Sequence, residues 1–234
     1  IITHGMPYPA NADMAALVEA VIRAEGAVPA TIAVLNGRLK IGLTASETAE
    51  LAQTEVAMKL SRADLAFAMA TGATGGTTVA ATMMAAALAG IKVFATGGIG
   101  GVHRGAAESF DISADLEEFA RSPVIVVCAG AKAILDLEKT LEVLETKGVP
   151  VVTYGQDALP AFWSSASPLK SPLRLDTAQD IAAFQHTRVA LGVGGGVLVA
   201  NPIPQAAEIP FGEMAVFIDE ALRNAAARKI TGKA

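Results

Sequence analysis

Short apolar runs recur along the chain, each closed by a turn signal, with helically spaced segments between them. Ala12–Glu25 places Leu17, Val21 and Ile22 at helical intervals among Glu19, Arg23 and Glu25, with Asn11 as an N-cap and Gly26 past the end. Ala30–Leu35 reads as a strand. Asn36-Gly37 is a hairpin turn signal, and Arg38–Leu43 is the returning strand. Short helices are expected over Ser46–Ala52 and Ser61–Thr71, and a small-residue helix over Thr77–Ala89. Lys92–Thr96 is a strand that ends in Gly97-Gly98-Ile99-Gly100-Gly101. Asp115–Ala120 is helical. Pro123–Ala129 is apolar throughout, as strands buried on both faces of a parallel sheet are. A helix is expected over Ile134–Thr146, a strand over Val149–Tyr154, a helix over Thr177–Ala190, a strand over Val197–Ala200 and a closing helix over Phe211–Ala227.

Strands alternating with helices predict an α/β fold. The expected form is a three-layer α/β/α arrangement whose central sheet is mostly parallel and made mixed by the Asn36-Gly37 hairpin. The Pro-rich stretch Ala158–Pro172 is either a mobile lid or an ordinary surface crossover.

Composition narrows the picture. Of 234 residues, 52% are apolar and only 18% charged, so much of the chain is expected to be buried, in its core or in subunit contacts. The net charge of −5 and the lack of a basic stripe argue against a nucleic-acid partner. Cys128 is the one cysteine, so no internal disulfide can form. Its spacing from His4, His103 and His186 matches no metal motif. The uncharged stretch Leu65–Ile91 is interrupted by Gly72–Thr78 and is expected to form two elements around a loop, not a membrane span. The start, Ile1-Ile2-Thr3-His4-Gly5, has no basic segment or long apolar run of the secretory kind; the lone cysteine fits a reducing compartment, and a cytoplasmic protein is expected.

Three glycine-rich turns draw attention: Gly72–Gly76, Gly97–Gly101 and Gly192–Gly196. Backbone N–H groups of such a turn entering a helix suit a phosphate. Gly75-Gly76-Thr77-Thr78-Val79 has that shape, although neither it nor Gly97–Gly101 fits a nucleotide fingerprint. Alternatively, the glycines serve tight turns and close packing. Lys132 follows the apolar strand 123–129, where burial is expected to lower its pKa and leave an amine able to form an imine with a sugar carbonyl; a snorkelling surface lysine is the other reading. Arg104 could pair with a phosphate or a carboxylate. Asp111-Ile112-Ser113-Ala114-Asp115 groups two carboxylates and a hydroxyl, suiting a hard cation or a ribose, unless Asp111 or Ser113 is an N-cap. Lys59 is a second cation for a phosphosugar.

These segments together resemble the pseudouridine-5′-phosphate glycosidase family, which includes the indigoidine-cluster A proteins. The resemblance spans the chain: His4-Gly5-Met6-Pro7, Gly26–Ala33, Gly75–Ala80, Ala95–Gly105, Asp111–Leu116, Val127–Lys132 and Ala200–Pro204. It implies reversible cleavage of a C–C glycosidic bond to uracil and ribose 5-phosphate. By this resemblance Lys132 is the nucleophile, and Asp115 and His103 orient ribose or assist proton transfer. Lys59, Thr78, Val79, Thr96, Ser113, Ala114 and Asp115 bind substrate, and Asp111 binds Mn²⁺. No organic cofactor is implied, and the assembly implied is a homotrimer. The chain reads as one catalytic domain over 1–234, without the family's N-terminal segment, which carries a general-acid glutamate, and without its C-terminal helical portion. The rival readings are a catalytically impaired phosphosugar-binding protein and another Schiff-base phosphosugar lyase.

Overall fold

The computed structural model describes residues 2–228 and 230. The chain forms two compact units, residues 1–91 and 92–234.

The first unit runs α1 (Ala10–Ala24), β1 (Ile32–Leu35), β2 (Arg38–Ile41), α2 (Ala45–Gln53), β3 (Met58–Leu60), α3 (Leu65–Ala70), β4 (Gly75–Thr77) and α4 (Val79–Leu88). Among the described residues its strands make a four-stranded mixed sheet in the order β2-β1-β4-β3. β1 is antiparallel to β2 and to β4, and β3 is parallel to β4. The alternation of β1 sends Val34 to one face, with Leu60, Leu65, Ala68 and Ala81, and Ala33 and Leu35 to the other, with Leu43 and Leu51. Helices therefore cover both faces, as the layered reading expects. Asn11 is not the N-cap of α1. Pro9 holds that position, and the buried Asn11 amide donates to the carbonyls of Ile2 and Ala52.

The second unit runs β5 (Val93–Ala95), β6 (Val102–His103), α5 (Ala106–Ser109), α6 (Ala114–Phe119), β7 (Ile125–Cys128), β8 (Leu135–Asp136), α7 (Leu137–Thr146), β9 (Val151–Tyr154), β10 (Leu173–Leu175), α8 (Ala178–Ala190), β11 (Val197–Ala200) and α9 (Phe211–Ala227). Five strands pair in the order β10-β9-β11-β7-β5, parallel throughout. The fold is α/β with mostly parallel strands, as expected, but the hairpin lies in the first unit's sheet and leaves the five-stranded sheet purely parallel. Central strand β11 is buried along its whole length. Val197 and Val199 pack with Val152, and Ile181 and Phe184 of α8 close over them. The helix expected from Ile134 starts at Leu137, because Leu135 and Asp136 pair with His103 and Val102 and the Asp136 carboxylate caps α7.

Candidate functional site

Parallel α/β sheets gather ligands beyond the carboxyl ends of their strands. In the second unit adjacent strands β5, β7 and β11 end in Thr96–Gly101, Ala129–Lys132 and Asn201-Pro202. Hydrogen bonds lock the first two loops together beyond the sheet. Ala129 N donates to Gly97 O at 3.0 Å, Ile99 N to Gly130 O at 3.1 Å and Lys132 N to Ile99 O at 3.0 Å. Thr96 N donates to Val127 O, and Asn201 N to Cys128 O. The backbone of Lys132 is thus fixed by Ile99, while its side chain is exposed. Of the two settings open to that side chain, burial and a place at the surface, the described residues give the second. The apolar residues of β7 turn inward within the sheet, and the lysine lies beyond its end.

The segment 111–115 folds back on the same loop. Asp115 is buried, and its carboxylate accepts Gly100 N–H at 2.8 Å. Ser113 N donates to Gly101 O, and the Ser113 hydroxyl caps the short helix α6 by accepting Asp115 N–H. A side chain at Gly100 would collide with Ser113 and Asp115, so glycine is needed there for this close approach. His103 N donates to Asp111 O, and the His103 ring lies 4.0 Å from the Asp111 carboxylate. Buried Thr140 supports the loop from α7 by accepting Val102 N–H at 3.0 Å. Thr96, His103, Asp111, Ser113, Ala114, Asp115 and Lys132 therefore stand on one set of interlocked loops.

Lys59, Thr78 and Val79 stand on the first unit. Lys59 is exposed on β3 opposite Gly76, and Thr78 N donates to Leu60 O at the carboxyl ends of β3 and β4. Thr78 caps α4, accepting Ala81 N–H at 3.4 Å, and Val79 opens that helix. Gly75 and Gly76 are strand residues, not loop residues. A Cβ on Gly75 would stand 2.5 Å from Met58 O, and one on Gly76 would strike the Thr3 hydroxyl. The packing reading holds for these two glycines.

It holds for Gly192–Gly196 as well. That turn precedes β11 and so lies at the amino end of the parallel sheet, away from Gly97–Gly101. Gly195, at φ +77°, leaves room for the carbonyls of Phe119 and Ala120, and buried Arg188 donates to Gly194 O. Arg104 pairs with the Asp219 carboxylate at 2.9 Å, the second of its expected partners.

Sequence reasoning missed three supports of the site: the Asp115 grip on Gly100, the Thr140 hydroxyl, and Phe162. All three act across long sequence separations, and only the glycine doublets hinted that something packs closely there. Cys128, behind the Lys132 turn, is buried, and burial pushes its thiol up to about 12. It is no nucleophile at neutral pH. Among the described residues no three His, Cys, Asp or Glu side chains converge on a metal position. The Asp111 carboxylate alone suits a hard cation that keeps most of its waters.

The indigoidine synthase A-like family model matches residues 1–234. A pseudouridine-5′-phosphate glycosidase of Mesorhizobium japonicum is 68% identical over 234 residues, covering all of this chain and 77% of that protein. One from Paracoccus denitrificans is 64% identical over 236 residues, covering all of this chain and 78% of its own. Among solved structures, the prealnumycin C-glycosynthase AlnA in complex with ribulose 5-phosphate superposes with a TM-score of 0.89 at 39% identity, over 94% of this chain and 73% of that one. An indigoidine synthase A-like protein of Thermotoga maritima does so with 0.88 at 30% identity, over 94% and 73%.

Proposed function

The chain belongs to the indigoidine synthase A-like family, and from that premise we propose that it is a pseudouridine-5′-phosphate glycosidase: with water, it converts pseudouridine 5′-phosphate reversibly to uracil and ribose 5-phosphate. The observation that carries this reading is the 68% identity to a named glycosidase over the whole chain. The interlocked loops that hold Lys132, Asp115 and His103 beyond the carboxyl ends of β5 and β7 supply matching chemistry.

A C–C glycoside has no leaving oxygen to protonate, so the paired-carboxylate scheme of O-glycosidases does not apply. An amine provides the alternative. Lys132 Nζ bonds to C1′ as the ribose ring opens, and C5 of uracil takes up a proton. The nitrogen lone pair then forms the C1′=N imine while the C1′–C5 electron pair returns to the uracil ring. Water hydrolyses the imine, releasing ribose 5-phosphate and regenerating the amine. Asp115 and His103 orient the ribose and assist proton movement. Thr96, Ser113 and Ala114 bind substrate on the loops that carry Lys132. Mn²⁺ held through Asp111 and water would supply positive charge for substrate oxygens. We place the protein in the cytoplasm, as a homotrimer acting on small molecules.

The test is uracil release from pseudouridine 5′-phosphate, with the reverse synthesis from uracil and ribose 5-phosphate. Lys132→Ala is expected to lower kcat on the order of 10³-fold or more. Borohydride with ribose 5-phosphate is expected to fix a sugar on Lys132. Absence of uracil-dependent synthesis in the unsubstituted protein would sink the glycosidase reading in favour of another Schiff-base lyase.

A further inference from the structure

Phe162 has a backbone that its side chain disfavours, with φ at +63°. For a bulky residue that conformation is unfavourable and persists only where surrounding contacts enforce it. The contacts are on the site loops. Phe162 N donates to Ala129 O at 2.8 Å. Its ring lies over Gly97 and Gly98: a Cβ at Gly98 would stand 2.5 Å from the ring, and one at Gly97 3.7 Å. Two residues earlier, Pro160 O rests on Gly130, whose φ of +99° and whose 2.6 Å distance from that oxygen to a built Cβ both require glycine. The segment 160–162 therefore sits on Gly98 of one loop and Gly130 of the other, the pair whose register fixes the Lys132 backbone through Ile99.

The segment is itself anchored. Ser164 Oγ donates to Ile209 O, Ile209 N to Trp163 O, Ser165 N to the Glu208 carboxylate, and the Gln156 amide to the carbonyls of Ala158 and Ser165. Ala161, Ser164 and Ser165 are buried. The stretch Ala158–Pro172, expected to be a lid or a crossover, is thus a hydrogen-bonded strap over the ends of β5 and β7.

We infer that Phe162 is a positioning residue, a wedge that holds the Gly97–Ile99 loop in register with the Ala129–Lys132 turn and so sets where the Lys132 amine is presented. Its effect on catalysis rests on the glycosidase reading. The wedge itself does not, and the experiment separates the two.

Two readouts apply to Phe162→Ala, Phe162→Leu, Gly98→Ala and the double variant Phe162→Ala/Gly98→Ala. Amide hydrogen exchange is independent of activity. Phe162→Ala is expected to speed exchange at Ile99 and Lys132 about 10-fold or more, with β9 and α8 unchanged, and Phe162→Leu to retain most protection. In steady-state kinetics Phe162→Ala is expected to lower kcat about 10–100-fold with KM within about 3-fold, as expected of a nucleophile displaced without loss of substrate contacts. Gly98→Ala collides with the ring, so it harms the parent. It is expected to harm less, or to restore activity, once the ring is gone, giving a non-additive cycle. Unchanged exchange at Ile99 and Lys132, a kcat within 2-fold of the parent (a limit on the order of assay scatter), or strict additivity would each overturn the wedge. Should the unsubstituted protein fail to release uracil, the glycosidase reading falls, while exchange still decides whether Phe162 holds the two loops together.

Discussion

At the scale of single residues, the sequence marks candidate side chains but not their settings. Lys132 stands out in the sequence by its place after an apolar strand. That neighbourhood leaves burial and a surface lysine both open, and the side chain is exposed because the strand ends before it. Asp115 stands out as one of two carboxylates in a short segment. Its grip on Gly100, fifteen residues earlier, depends on how the loop folds back, which no local pattern encodes. Cys128 gives the plainest test at this scale. Cys128 is 3% exposed, and burial raises its thiol pKa to about 12, so little thiolate exists at pH 8. Iodoacetamide at pH 8 is expected to leave Cys128 unmodified in the native protein and to alkylate it readily in denaturant, as read by intact mass. Fast native alkylation would contradict the buried setting of β7.

At the scale of elements, legibility followed the strength of the local signal. The strand Val197–Ala200 and the helix Phe211–Ala227 have the bounds the pattern predicts. The hairpin at Asn36-Gly37 pairs Leu35 with Arg38, as its turn signal requires. Strands β3 and β4 escaped notice because they are three residues each and β4 contains two glycines, which weaken strand propensity. Only the partners reveal why they are there: Met58 O and Thr3 leave no room for a side chain. Helix α2 carries a prediction of its own. Thr44 and Glu47 form a reciprocal capping box, and Glu47 also pairs with Lys40 at 2.7 Å. The hydrogen bond from Lys40 first, and those from Thr44 next, lower the Glu47 carboxyl from 4.5 to about 2. A depressed folded-state pKa stabilises above the unfolded value. The contribution is therefore complete above about pH 4.5 and lost as pH falls through about 2. Glu47→Gln is expected to lower Tm at pH 7, with the gap between variant and parent closing as pH falls towards 2. A gap that is the same at both pH values would show that the carboxylate charge contributes nothing.

At the scale of the whole molecule, the fold class was legible because apolar strands alternating with amphipathic helices leave few layered solutions. Its division into two units was not, since no composition shift or linker marks residue 91. The proposed trimer belongs to this scale. The chain has a mean hydropathy of +0.45 and only 18% charged residues, more apolar than a surface kept wholly in water favours. Helix α9 has no buried residue over Phe211–Ala227 and leaves Val216 61% and Phe217 58% exposed. Adjacent apolar side chains exposed to that degree on a long helix are what a subunit contact would cover. If α9 lies in the trimer contact, sedimentation equilibrium is expected to give a particle of three chains for the parent. Phe217→Glu is expected to shift it towards the monomer, because a carboxylate placed in an apolar contact must be desolvated without a partner. Circular dichroism keeps the test on assembly: a variant that dissociates with its helical signal intact locates the contact on α9. A trimer that survives the substitution moves the contact elsewhere, and a parent that sediments as a single chain ends the trimer proposal.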